Sequence, residues 1–239
     1  MKKSTELEVA PALESDIDRL MEVQFSAFEG DPYHGALYPG DHFSPTVRRS
    51  AGERTIKEWR SDPSVIFMKC ANRHSGQIVG FAKWNLYEME RAEEQWTKRP
   101  DVDWCTGRQK EVAENFLYAT MAMREKTWEG RPHLLLSLLC VRQDFQRKRA
   151  GTLLVEWGLE RAASLALPTY LEASPAGFHL YRKLGFYQID VVVVRAGEWD
   201  GDFDRHYVAM LTRPKTEISS AKGDAVEMAE TSEKIDTLS

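Results

Sequence analysis

The sequence lacks what several functional classes require. Its three cysteines, Cys70, Cys105 and Cys140, form no CxxC pair and cannot all be paired with one another, so neither a disulfide framework nor a zinc site is indicated. No stretch of 18 apolar residues occurs, and the charged opening from Met1 to Glu8 leads into no apolar run. Membrane spanning and secretion are therefore not expected, and reduced thiols fit a cytoplasmic protein. An excess of positive charge is also missing. The formal net charge is −5, whereas a general nucleic-acid surface needs clustered Lys and Arg, so nucleic acid is not an expected partner and the basic run Arg147–Arg149 is local. His34, His42, His74, His179 and His206 show no metal-ligand spacing, and no metal is assigned.

What is present is enough for one core: 239 residues with 42% hydrophobic content. Residues 1–214 read as a single domain. Residues 215–239 carry six acids, three lysines and no aromatic side chain, and are expected to form a disordered acidic tail. Leu7 to Ala10 reads as a short strand, and Ser15 to Phe28 as a helix with Ser15 as its N-cap. Gly30 to Phe43 reads as a loop that carries Tyr33, Tyr38 and Phe43, either lining a pocket or plugging the core edge. A helix over Pro45–Trp59 precedes a hairpin, Val65–Cys70 with Gln77–Tyr87. Residues 89–132 form a helical insertion with three of the seven tryptophans, read as a lid over an acceptor site or, in preference, as a helical layer on one sheet face. Tyr187–Val194 and Tyr207–Thr212 suggest a second hairpin.

Between these lies the stretch with the most chemistry. Leu134 to Val141 is apolar on both faces, which places it centrally in its sheet. It stops at a cationic turn, Gln146 to Gly151, from which a helix-patterned segment runs on through Leu153, Leu154 and Trp157. A helix N-terminus offers free N–H groups and partial positive charge to a pyrophosphate, and Arg147, Lys148 and Arg149 add charge from the same turn, while Gly151 permits close backbone approach. Tyr170–Ser174 reads as a second strand, followed by a helix ended by Gly185.

Gln146-Arg-Lys-Arg-Ala-Gly151 resembles the Arg/Gln-x-x-Gly-x-Gly/Ala motif of the GNAT superfamily of acetyl-CoA-dependent N-acetyltransferases, with Arg149 where the family has Gly. The preceding Leu139-Cys-Val141, the following Thr152-Leu-Leu-Val-Glu-Trp and the later Leu180-Tyr-Arg-Lys-Leu-Gly-Phe186 stand in the family's order. The resemblance implies an α/β fold of α+β type, with a central mixed, largely antiparallel sheet flanked by helices, and acetyl-CoA as co-substrate. It further implies that the backbone of Leu139, Cys140 and Val141 pairs with the pantetheine arm. Gln146, Arg147, Lys148, Arg149, Ala150 and Gly151, with Thr152, would take the pyrophosphate. Ser174 would add a polar cofactor contact, and Tyr181 would be the general acid that protonates the leaving thiolate.

For the base, the candidates are Glu172 or a water ordered by Ser137, His133 or the insertion, with a strand-end carboxylate that faces water or pairs with Arg the preferred reading of Glu172. Direct transfer by proximity needs no acyl-enzyme, so Cys140 reads as a buried strand residue. The expected acceptor is a small-molecule amine, with an arylalkyl amine, a polyamine, an amino acid and a protein terminus all compatible. A homodimer is left open. The alternative function is a catalytically impaired acyl-CoA-binding module of the same fold, for which the arginine at 149 is the motive.

Overall fold

Strand-forming runs scattered over the chain assemble into one seven-stranded sheet. A computed structural model of the protein describes residues 6–38, 40–41, 44–195 and 204–213; Phe43, His42 and the acidic tail lie outside them. The strands are β1 (Leu7–Pro11), β2 (Val65–Asn72), β3 (Ile78–Tyr87), β4 (His133–Val141), β5 (Thr169–Ala173), β6 (Tyr187–Val194) and β7 (Arg205–Thr212). Their order is β1-β2-β3-β4-β5-β7-β6, and every neighbouring pair is antiparallel except β4 with β5. The apolar strand β4 is the middle one, and both hairpins form. The sheet is thus mixed and largely antiparallel.

The helices are α1 (Ile17–Ala27), α2 (Pro32–Leu37), α3 (Pro45–Ser61), α4 (Glu93–Trp96), α5 (Gly107–Trp128), α6 (Ala150–Ser164) and α7 (Pro175–Lys183). On one face α6 and α7 pack Leu154, Val155 and Tyr181 against Trp84, Leu134, Leu136 and Met210. On the other, α1 and α3 cover Phe67, Phe81 and Cys140. The insertion helix α5 covers the rest of that face, with Val112 and Phe116 on Val192 and Val194 and with Trp128 on Leu135 and Tyr170. The insertion is therefore a helical layer. Its three tryptophans fasten it: Trp96 lies against Gly130, Trp104 donates Nε1–H to the Leu37 carbonyl at 2.9 Å, and Trp128 stacks on His133. No helix among the described residues is long and apolar enough to cross a membrane.

Two local expectations need correction. Ser15 does not cap α1. The chain enters through a short 3₁₀ turn, Glu14–Asp16, and the Asp16 carboxylate accepts the Leu13 N–H at 2.9 Å while pairing with Lys69 at 2.6 Å. The loop from Gly30 to Phe43 contains α2, because Asp31 accepts the His34 N–H on its side chain (3.1 Å) and Pro32 fits the first turn.

Burial has a pH consequence at His133. This residue is 1% exposed, bonds through Nδ1 to the Arg131 carbonyl at 2.7 Å, and stacks on Trp128 with ring centroids 4.0 Å apart. Desolvation first, then the charges of Arg91, Arg124 and Arg131, lower its pKa to about 3. Below the ordinary histidine value of about 6.5 the unfolded chain takes up a proton that the folded chain refuses, so stability present above that value is lost as pH falls toward 3. We expect this residue to remove about 2 kcal/mol of unfolding free energy between pH 6.5 and 5. Urea denaturation at the two pH values should show a shallower loss in His133→Phe, which keeps the aromatic stack; equal slopes would reject the assignment.

Candidate active site

The central feature is a parting of two strands. Strands β4 and β5 pair only where Leu134, Leu135 and Leu136 face Thr169, Tyr170 and Leu171. Beyond that point β4 continues to Val141 on β3 alone, through the register Gly80↔Val141. Ser137 is the extra residue of a bulge, since Lys83 faces Leu138 and Trp84 faces Leu136. As a result Ser137, Leu138 and Leu139, in the middle of the central strand, keep accessible surface, whereas His133 to Leu136 are buried.

Arg142 donates its N–H to the Val79 carbonyl at 3.0 Å. Ladder alternation then turns the peptide groups of Leu138 and Cys140 toward β3 and those of Leu139 and Val141 toward the open edge. The Val141 carbonyl is met there by Gln146 Nε2 at 3.3 Å. Cys140 therefore leaves the expected backbone set: its peptide serves the β3 ladder, its side chain is 0% exposed, and burial pushes its thiol well above the usual range. A neutral, enclosed thiol is not a nucleophile.

At the end of β4 a 3₁₀ turn, Gln143–Phe145, leads into the exposed residues Gln146 to Arg149 and then α6. Arg147 and Arg149 are left-handed, with φ of 58° and 72°. The backbone N–H groups of Arg147 through Thr152 find no acceptor among the described residues, and the first intrahelical bond runs from Leu153 to Arg149. Consecutive free N–H groups at the positive end of a 15-residue helix, beside two arginines and a lysine, form a cradle suited to a pyrophosphate. Arg149 thus supports by itself the backbone shape that glycine adopts without strain, and its side chain points to solvent.

Gly151 also has a packing role. A Cβ there would meet Leu180 at 3.3 Å and Leu139 and Val141 at 3.7 Å, so its smallness seats α6 against β4 and α7. Replacing Arg149 with Gly should raise unfolding free energy by about 0.5–1 kcal/mol by relieving the left-handed strain. Arg149→Val should lower it, and chemical denaturation that ranks the two the other way would contradict this backbone geometry.

Ser174 is the N-cap of α7, with a hydroxyl that makes no hydrogen bond among the described residues. Two turns on, Tyr181 is 7% exposed and meets Phe186 edge-on at 5.9 Å. Burial, with the neighbouring Cys140 thiol adding to it, raises its phenol above the ordinary tyrosine value. Gly177 makes room for the ring, since a Cβ there would stand 2.7 Å from Tyr181 Cε2. Glu172 faces α5, and both its carboxylate oxygens accept from Arg124, at 2.8 and 2.7 Å. Its side chain is 6% exposed, so it holds an ion pair where a general base needs a free carboxylate.

Side chains that sequence reasoning had not singled out surround Ser137. Its hydroxyl has two acceptors in reach for its one proton, Asn85 Oδ1 (2.9 Å) and the Lys83 carbonyl (3.1 Å), and Asn85 Nδ2 in turn donates to Ser64 Oγ (3.1 Å). Lys83 reaches across to Glu58 of α3. The available signal was Asn85 within the otherwise apolar Trp84-Asn85-Leu86 of a strand. Among the described residues no group of three or more His, Cys, Asp or Glu could hold a metal ion.

A seven-stranded mixed sheet that opens between its fourth and fifth strands, beside an N–H-rich turn, defines the architecture of an acyl-group transferase of the expected class. The chain belongs to the acetyltransferase (GNAT) family, whose model matches residues 36–186. The "probable acyltransferase SID5" of Ajellomyces capsulatus is 35% identical over 91 residues, which are 38% of this chain and 61% of that protein. The match therefore spans less than two thirds of that curated relative. Among solved structures, arylalkylamine N-acetyltransferase 2 from Aedes aegypti superposes with a TM-score of 0.62 at 14% identity, over 87% of this chain and 98% of that one. The Corynebacterium glutamicum structure described as histone acetyltransferase HPA2 and related acetyltransferase gives 0.56 at 20% identity, over 87% and 96%. At these identities the likeness is one of fold.

Proposed function

We propose that this protein transfers the acetyl group of acetyl-CoA directly to an amine of a small molecule. The observation that carries the reading is the parting of β4 from β5, which leaves the Leu139 peptide group and the Val141 N–H on the open edge of β4, at the end that leads into the N–H cradle at Arg147–Thr152. Acetyl-CoA as donor substrate supplies an activated thioester. The cradle and its cations hold the pyrophosphate, the open strand edge pairs with the amides of the pantetheine arm, and the Ser174 hydroxyl adds a polar contact. Tyr181, protonated throughout the physiological range, gives its phenolic proton to the departing thiolate. Glu172, held by Arg124, acts in this reading by fixing α5 over β5 rather than as the base.

The family membership and the small-amine enzyme among the fold neighbours support the reading. Its test is the release of free CoA thiol over a panel of amines, beside thermal stabilisation by acetyl-CoA. Turnover with at least one amine is expected. Stabilisation without turnover would favour the impaired binding module instead, and no stabilisation would overturn both.

A further inference from the structure

Two ion pairs stand on the α3 and α5 side of the sheet at the opening Ser137–Leu139. Glu58 takes Lys83, and Glu172 takes Arg124 through both oxygens. Arg54 stands one turn before Glu58 on α3, so the two share a helix face, and Glu58 is the side chain that reaches the strand beside the bulge. The Arg54 guanidinium lies 5.5 Å from the Tyr38 ring centroid and 5.2 Å from that of Trp104. Nη1 donates to Ser50 Oγ at 3.0 Å, and no carboxylate pairs with Arg54 among the described residues. Two aromatic faces, one from Tyr38 just after α2 and one from the insertion, hold a half-buried cation whose fork meets no acid among the described residues.

We infer that the acceptor is an amine that also carries a carboxylate, and that Arg54 is the residue that reads this carboxylate. The inference rests on the amine-acetyltransferase reading above and narrows its substrate class. The Glu58–Lys83 and Glu172–Arg124 pairs are each neutral as a unit, so the Arg54 guanidinium, held by aromatic faces and a serine, is the cation this side offers to an acceptor. Such a cation disfavours a polyamine, which would need carboxylates to neutralise it, and favours an acceptor whose own negative charge sits at a fixed distance from the attacking nitrogen. Tyr38 and Trp104 hold the guanidinium in place before the acceptor arrives, which limits the entropy lost on pairing.

The test uses matched amines that differ only in the carboxylate, lysine with cadaverine and phenylalanine with phenethylamine, assayed by thiol release with the full chain. In the wild type, kcat/KM is expected to favour the carboxylated member of at least one pair by tenfold or more. Arg54→Gln should bring that ratio close to one, with the change in KM, and Arg54→Lys should retain part of it because the charge remains. An undiminished ratio in Arg54→Gln, or a wild-type preference for the carboxylate-free amines, would overturn the inference while leaving the acetyltransferase reading intact. Calorimetric binding of the same amines to protein saturated with acetyl-CoA gives a readout independent of turnover. Binding of lysine or phenylalanine that Arg54→Gln abolishes, without thiol release, would keep this assignment and overturn the catalytic reading. Binding that Arg54→Gln leaves unaltered would overturn the assignment.

Discussion

Gly158→Ala should lower the unfolding free energy by about 3 kcal/mol, and the midpoint of thermal unfolding by roughly 10 °C. Helix α6 crosses the sheet with Gly158 directly on the indole of Trp84, which is 0% exposed and itself neighbours Trp157 at 6.2 Å. A Cβ at 158 would fall far inside van der Waals contact with Trp84 Cη2 and Cζ2, and 2.7 Å from Cε2. The indole is enclosed by Leu134, Leu136, Leu154 and Val155 in the same cluster and has nowhere to turn, so the helix must lift. Lifting α6 would also displace the turn at its N-terminus, so acetyl-CoA should stabilise the variant less than the wild type. Trp84→Phe in the Gly158→Ala background should recover part of the loss, because the two positions are in contact. A Gly158→Ala protein within 0.5 kcal/mol of wild type would disprove this packing.

The second large effect concerns chemistry. Tyr181→Phe is expected to reduce kcat by about 100-fold or more while altering the KM for acetyl-CoA little, because the lost proton donor acts on the leaving group and not on binding. The substitution keeps the ring beside Gly177 and Phe186, and the hydroxyl removed has no hydrogen-bond partner among the described residues, so stability should change by less than about 1 kcal/mol. Burial holds the phenol protonated beyond the ordinary tyrosine value, so no alkaline limb from Tyr181 should appear in the wild-type rate below about pH 10. An unchanged kcat in Tyr181→Phe would reduce Tyr181 to a packing residue.

Much of this site was legible in the chain. The two-faced apolar run of β4 announced the middle strand, and the six residues from Gln146 to Gly151 announced the turn, although Arg149 breaks the glycine pattern there. The structure shows why that break is tolerated, since Arg149 adopts φ of 72° at a solvent-exposed position. Helix α2 was missed because the three glycines and two prolines of Gly30–Phe43 read as a loop, although Asp31-Pro32 is itself a helix-start signal. Ser15 reads as the cap of α1 because a sequence cannot reveal that the chain enters through a 3₁₀ turn whose Asp16 is held by Lys69, 53 residues away.

By itself the sequence determined the local properties of each segment: which strand is central, where a helix begins on a basic turn, and where a tyrosine stands two turns beyond a serine. These follow from periodicity and from the conformations each residue prefers, and both act within a few residues. Only the tertiary structure decided that β5 leaves β4 after Leu171, that β7 enters between β5 and β6, and that Glu172 is bound by Arg124 from the insertion. It alone placed Arg54 between Tyr38 and Trp104. Such pairings join segments tens of residues apart. Strand register and helix seating fix them, and no local pattern carries that information.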